Sequence, residues 1–397
     1  MNKIDKEALA LHKKFQGKIT ISSKVPVRTM HDLSLLYTPG VAEPSRQIAK
    51  NKALSYDLTW RGRTVAVVSD GSAVLGLGNV GPDAALPVME GKSLLLKELG
   101  GVDAVPLVIN TQETSEIIQF VKQIVPSFAG ILLEDISAPR CFQIEEALQD
   151  IGIPAFHDDQ HGSAIVITAG LKNAAKVVGK SYEDLKVVIV GAGAAGLATA
   201  KMLLGYTCSA ESCQRIPGQD SVNDVIVTDR SGAIYLGRDN LNLYKQQIAS
   251  ISNKEKKQGS LAEVIKDADV VVGVSGPNNI TKEMVQSMAK DAIVIAMANP
   301  IPEIMPEVAR AAGAAIIASG RSDYPNQINN VLAFPGIFQG VIKGRLTKIT
   351  QEMKNAAAEA IANYVEKPDK NNIIPDAFAP GLADHVARAI LKIKATK

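Results

Sequence analysis

Val187-Val-Ile-Val-Gly191-Ala-Gly193-Ala-Ala-Gly196 is the stretch whose reading decides the fold. A β-branched run feeds directly into three glycines, and a helical stretch follows to Leu204. Strand, tight turn and helix in that order form the context in which a glycine turn holds a dinucleotide pyrophosphate against a helix N-terminus. Gly191 makes the turn, Gly193 lets the pyrophosphate approach the backbone, and Gly196 lets helix and strand pack closely. The cofactor-binding set is therefore Gly191, Gly193, Ala194, Ala195 and Gly196, with Asp229 and Arg230 at the end of the next strand. A carboxylate at Asp229 accepts from both ribose hydroxyls and favours NAD. Arg230 offers a partner to a 2′-phosphate, so NADP stays open.

Outward from this motif the chain alternates short β-branched runs with helical stretches, which predicts parallel α/β architecture. Before it, Thr64–Val68, Ala104–Ile109, Ala129–Leu133 and Pro154–Phe156 read as strands. Asp83–Leu99, Glu113–Val125, Arg140–Gln149 and Ser163–Val178 read as helices. After it, strands are expected at Val187–Val190, Val225–Thr228, Val270–Val274, Ala292–Ala296 and Ala314–Ala318, with Gly205–Ser221 a surface loop. The fold class is α/β: two parallel-sheet domains, the second a Rossmann-like dinucleotide-binding domain, with helical N- and C-terminal extensions. The expected division is 1–160 and 161–397. A second glycine run, Gly76-Leu-Gly78-Asn-Val-Gly81, is not fed straight from its strand and is followed by Pro82, so it reads as a different turn, one presenting a helix that carries Lys92.

Acidic residues crowd two strand ends. Glu134 and Asp135 close one, and His157-Asp158-Asp159 close the next. Parallel neighbouring strands place them on one sheet edge, where open α/β sheets bind ligands. Crowded carboxylates repel unless a cation sits among them, and oxygen ligands suit Mg²⁺ or Mn²⁺. Neighbours in a regular strand point to opposite faces, so Glu134 and Asp135 converge only if the strand has turned by then; Ser137-Ala-Pro139 just after them supplies turn residues.

Bulk numbers exclude several classes. The 397 residues carry 43 Lys plus Arg against 41 Asp plus Glu, which gives no electrostatic reason for nucleic acid or an anionic membrane as partner. No apolar run approaches the roughly 20 residues of a membrane span, and the charged stretch 1–18 has no signal-peptide character. Cys141, Cys208 and Cys213 form neither a CxxC pair nor an even framework, which suits a reducing compartment. The expected location is cytoplasmic.

In this order, Leu36-Tyr37-Thr38-Pro39-Gly40, Val74–Asn79, Gly91-Lys92, Leu133-Glu134-Asp135, Phe156-His-Asp158-Asp159, the glycine turn, Ala298-Asn299-Pro300, Asn329-Asn330 and Phe334-Pro335-Gly336 resemble malic enzymes of the small bacterial type. The resemblance implies oxidative decarboxylation of L-malate to pyruvate and CO₂ with reduction of NAD(P)⁺, and a substrate and metal domain before residue 160; a homodimer is expected only because most soluble oligomers are two-fold dimers. It implies Glu134, Asp135 and Asp159 as ligands of Mn²⁺ or Mg²⁺, and Lys92 as general base, its pKa lowered by the dication and by burial. Asp158 would orient Lys92, Tyr37 would be general acid, and Asn299 and Asn330 would bind substrate and the nicotinamide side. Larger family members carry Glu-Arg where this chain has Ser72-Ala73, so the partner of one substrate carboxylate is open. The rival readings are a malolactic enzyme, an amino-acid dehydrogenase without metal, and a non-catalytic dinucleotide sensor.

Overall fold

The computed structural model describes residues 3–395 apart from 75; Met1 and the Leu75 of the 74–79 motif lie outside the described residues. The first four strands, β1 (Thr64–Ser69), β2 (Asp103–Val108), β3 (Gly130–Leu133) and β4 (Ala155–His157), pair in parallel in the order β2-β1-β3-β4. Every side chain of β1 and β3 is buried, as expected for a parallel sheet covered by helices on both faces. The chain leaves β1 for β2 on one side and returns to β3 on the other, so a ligand-binding crevice opens at the ends of β1 and β3.

The second sheet has β5 (Lys186–Val190), β8 (Asp224–Asp229), β10 (Val270–Gly273), β11 (Ile293–Ala296) and β12 (Ile316–Ser319), with a two-residue antiparallel β9 (Gly232–Ala233) at its edge. Its order, β12-β11-β10-β5-β8-β9, reverses direction beside β5, the strand that carries the glycine turn. The expected strands are all present within about two residues of their sequence-based bounds.

Three differences are informative. The long helix begins at Asp158, not Ser163, because β4 feeds into it with no intervening loop; Asp158 and Asp159 are its first turn. It ends at Gly179, which adopts a left-handed φ of 70° as its C-cap. The stretch 205–221 is not all loop: β6 (Tyr206–Cys208) and β7 (Cys213–Arg215) form a hairpin. In that hairpin Cys208 and Cys213 stand directly opposite, Cα atoms 4.0 Å apart, and are disulfide-bonded. This corrects the expectation of three unpaired thiols; a spacing of five residues does not reveal an antiparallel register. Cys141 is a free, buried thiol.

The helices Phe334–Lys343, Gln351–Tyr364 and Leu382–Ala395 pack together, and the first of them lies on the helix Gly81–Gly100 of the first sheet. The N-terminal helices Lys3–Phe15, Met30–Leu36 and Ala42–Lys50 contain no buried residue. A capping box between Thr29 and Asp32 starts the second of these. Among the described residues no helix is long and apolar enough to cross a membrane.

Candidate active site

At the end of β3 the backbone turns at once. Asp135 adopts φ of 55°, left-handed, so Glu134 and Asp135 no longer alternate and can converge. Asp159 Oδ2 accepts the Asp135 N–H at 2.8 Å. One carboxylate oxygen from each of Glu134, Asp135 and Asp159 lies within 4.8 Å of the other two. Burial, with Asp159 close by, pushes the Asp135 carboxyl up to about 8, and burial holds Glu134 well above its usual range. Glu134 Oε2 and Asp135 Oδ2 are buried without a hydrogen-bond partner. A nest of orphaned carboxylate oxygens has the chemistry of a hard-cation site.

Lys92, on the helix Gly81–Gly100, projects into the same crevice. Its Nζ lies 2.5 Å from Asp158 Oδ2, 3.0 Å from Glu134 Oε1 and 4.6 Å from the centre of the Phe334 ring. Burial pulls its pKa down, but Asp158 and Glu134 outweigh burial and hold the ammonium above its ordinary range. Within the protein itself this reverses the expected lowering: two carboxylates within 3.0 Å are stronger than desolvation. Asp158 is fully buried, and burial raises it to about 6. Gly162, one turn further on, has to be glycine: a Cβ there would meet Asp158 Oδ1 at 2.0 Å and Asn330 Cβ at 3.0 Å. That gap brings Asn330 next to Asp158.

The second glycine run also finds its place here. A Cβ on Gly76 would meet the Asn299 carbonyl oxygen at 2.7 Å, so this turn of the first sheet abuts the Asn299-Pro300 turn after β11. Tyr37 is not brought in. It caps the helix Met30–Leu36 and is 67% exposed.

The glycine turn after β5 has the expected geometry. Gly191 has φ of 122°, and a Cβ on it would meet Val274 O at 2.5 Å. Gly193 is the N-cap of the helix Ala194–Leu204, and a Cβ on it would meet nothing within 4 Å. The approach to the N-terminus of that helix is therefore clear. Asp229 ends β8 and is gripped by Arg238 Nη2 at 2.7 Å and Lys245 Nζ at 2.6 Å. These two cations, not the exposed Arg230, are the ones that hold Asp229.

Other residues give no motif signal yet shape the site. Glu303, fully buried, accepts from Ser275 N–H at 2.7 Å and from Ala298 N–H at 3.0 Å, and so joins the turns after β10 and β11. Asp70, after β1, pairs with Arg140 at 3.1 Å and accepts from the Ser72 hydroxyl at 2.6 Å. Ser72 Oγ in turn accepts the Ser137 N–H, and the Ala73 N–H donates to Asp135 O. The Ser72-Ala73 pair thus ties the β1 loop to the acid turn, while Arg140 is anchored by Asp70.

Two family models match the chain: "Malic enzyme, N-terminal domain" over residues 16–149 and "Malic enzyme, NAD binding domain" over residues 160–394. The chain is 54% identical to the bifunctional malic/malolactic enzyme of Bacillus subtilis (strain 168) over 97% of its own length and 92% of that protein's. It is 52% identical to the NAD-dependent malic enzyme of Geobacillus stearothermophilus, over 95% of this chain and 76% of that one. The crystal structure of the NAD-dependent malic enzyme from Thermotoga maritima superposes with a TM-score of 0.90 at 45% identity, covering 97% of this chain and 98% of that one. With both of its halves matched, and with relatives this similar along nearly the whole chain, the protein belongs to the malic enzyme family.

Proposed function

We propose that the chain oxidatively decarboxylates L-malate to pyruvate and CO₂ with reduction of NAD(P)⁺, in a reaction that depends on a divalent metal. The observation that carries this reading is Lys92, clasped by Asp158 and Glu134 at the edge of a three-carboxylate nest. Glu134, Asp135 and Asp159 would hold Mn²⁺ or Mg²⁺, which when bound supplies Lewis-acid polarisation of the C2 oxygen. Gly191, Gly193 and the first turn Ala194-Ala195 would hold the dinucleotide, which when bound takes the hydride from C2.

The chain's own residues handle the protons. Asp158, whose Oδ2 lies 2.5 Å from Lys92 Nζ, orients the lysine, and a dication bound beside it, together with burial, would favour the neutral amine. That amine accepts the C2 hydroxyl proton as hydride leaves C2. The C3–C4 bond of the resulting 2-keto acid then breaks, CO₂ departs, and the electron pair remains as the pyruvate enolate. Tyr37 returns a proton to C3. Asn330, beside Asp158, and Asn299, at the junction of the two sheets, orient the substrate and the nicotinamide side.

Tyr37 reaches this chemistry as part of a second copy of the chain. It is exposed, and so are Leu33, Leu35 and Leu36 before it; an apolar segment with no buried residue fits a homodimer interface. The seam between the substrate unit and the dinucleotide unit falls at 160/161, in the first turn of the long helix.

The test is incubation with L-malate, Mn²⁺ and either NAD⁺ or NADP⁺, following reduced cofactor and carbon product together. Stoichiometric pyruvate and reduced cofactor support the malic reaction. Lactate without net reduced cofactor would favour the malolactic outcome, a second reading suggested by the Bacillus subtilis relative described as bifunctional malic/malolactic. Neither product, with NAD bound, would leave a dinucleotide sensor.

A further inference from the structure

A cavity of about 340 Å³ lies apart from the acid cluster, between the helices Arg140–Ala147, Asp158–Val178, Ala194–Leu204 and Gln351–Tyr364, with Cys208 and Ser209 of the β6–β7 hairpin in its wall. Neither Lys92 nor any of the three proposed metal ligands lines it. Its volume is that of a small-molecule pocket.

Five acidic or basic side chains face it: Glu145, Glu146, His161, Lys201 and Lys354. Their hydrogen bonds do not close among themselves. Lys354 is buried, yet its nearest carboxylate oxygen, Glu145 Oε1, is 4.0 Å away, beyond hydrogen-bond reach. Lys201 donates only to Gln247 Oε1, at 3.2 Å, and has no carboxylate within ion-pair distance among the described residues. Glu145 receives Gln160 Nε2 at 3.1 Å on Oε2 and holds His161 Nε2 between its two oxygens, 2.8 Å from Oε2 and 2.7 Å from Oε1. Burial draws Lys201 down to about 8 and lowers Lys354, as it does for ammonium groups short of counter-charge. Buried polar groups are ordinarily satisfied, and two ammoniums facing one cavity without a hydrogen-bonded carboxylate lack an occupant.

We propose that this cavity is an effector site for a small organic anion. Its carboxylate or phosphate sits between Lys201 and Lys354. The occupant touches two helices that serve the other sites. Lys201 lies on the helix whose N-terminus follows Gly193, and His161 lies two residues after Asp159. Occupancy therefore changes the affinity for the dinucleotide.

Calorimetric titration of the full-length protein with D-glycerate and with glycerol 3-phosphate tests this and separates a carboxylate from a phosphate source. At least one probe is expected to bind saturably, about tenfold or more weaker in Lys354→Met and in Lys201→Met. The same probe is expected to shift the NAD dissociation constant of the wild type about fivefold or more, and not that of Lys354→Met. Lys354→Met removes a buried charge and keeps the side-chain length, and circular dichroism with a melting curve verifies its fold. Absence of saturable binding by both probes, or binding equal in wild type and both variants, overturns the site. Binding at the lysines with an unchanged NAD affinity overturns its effector role.

Discussion

Lys92 Nζ and Asp158 Oδ2 lie 2.5 Å apart, with Asp158 fully buried and Lys92 nearly so, and each displaces the proton affinity of the other. The lysine is held high by its carboxylates, and the carboxyl is raised to about 6 by burial.

This pair sets an acid limb. Below about pH 6 Asp158 takes up a proton and loses its clasp on Lys92, so kcat falls as pH drops through that value. Asp158→Asn is expected to remove the limb and lower kcat. Lys92→Ala is expected to lower kcat by about 10² to 10⁴ with NAD affinity nearly unchanged. A kcat–pH profile checks the first, and turnover beside NAD titration checks the second; near-normal turnover in Lys92→Ala would remove it as the base.

Metal binding is linked to protons. Asp135 ionises at about 8 in the folded chain against an ordinary 3.8, so the folded state binds that proton more tightly than the unfolded state. Without metal, stability therefore declines as pH rises from about 4 to about 8. Mn²⁺ binds the deprotonated nest, so its effect on Tm is expected to be larger at pH 8 than at pH 5. Glu134→Gln and Asp159→Asn are each expected to weaken Mn²⁺ by about tenfold or more. An unchanged metal titration in both would refute the ligand assignment.

Asp229 decides between cofactors through the cations it occupies. Asp229→Ala frees Arg238 and Lys245 and removes the acceptor for ribose hydroxyls. The ratio of kcat/KM for NADP⁺ over NAD⁺ is expected to rise by about tenfold or more. Steady-state kinetics with both cofactors measure it, and an unmoved ratio would place specificity elsewhere.

Tyr37 and Lys92 complement each other across copies. Tyr37→Phe and Lys92→Ala are each expected to be nearly inactive, yet mixing equal amounts and allowing exchange should restore about a quarter of wild-type turnover, from the intact site of each mixed dimer. No recovery, with exchange verified by mass, would place Tyr37 in the same chain as its lysine.

How far the sequence carries varies by residue. Strand and glycine turn sit together in the chain, so the context of Gly191 is legible locally. Glu134 and Asp159 are legible as strand-end acids, and Ser137-Ala-Pro139 signals the turn that lets Asp135 join them. The sign of the Lys92 shift is not legible, since it depends on Glu134 and Asp158, 42 and 66 residues away. Glu303 carries no signature because its partners are backbone N–H groups of two other turns. The Cys208–Cys213 bridge depends on a register that exists only once the hairpin pairs.

The helix Asp158–Val178 has 21 residues and runs about 32 Å, from the carboxylates of the first sheet along the flank of the dinucleotide helix. It acts as a stiff strut between the place where a proton is removed and the place where a hydride is received. One residue added within the strut would turn everything beyond it by about 100° and advance it by about 1.5 Å, so the two half-reactions would no longer meet on one carbon.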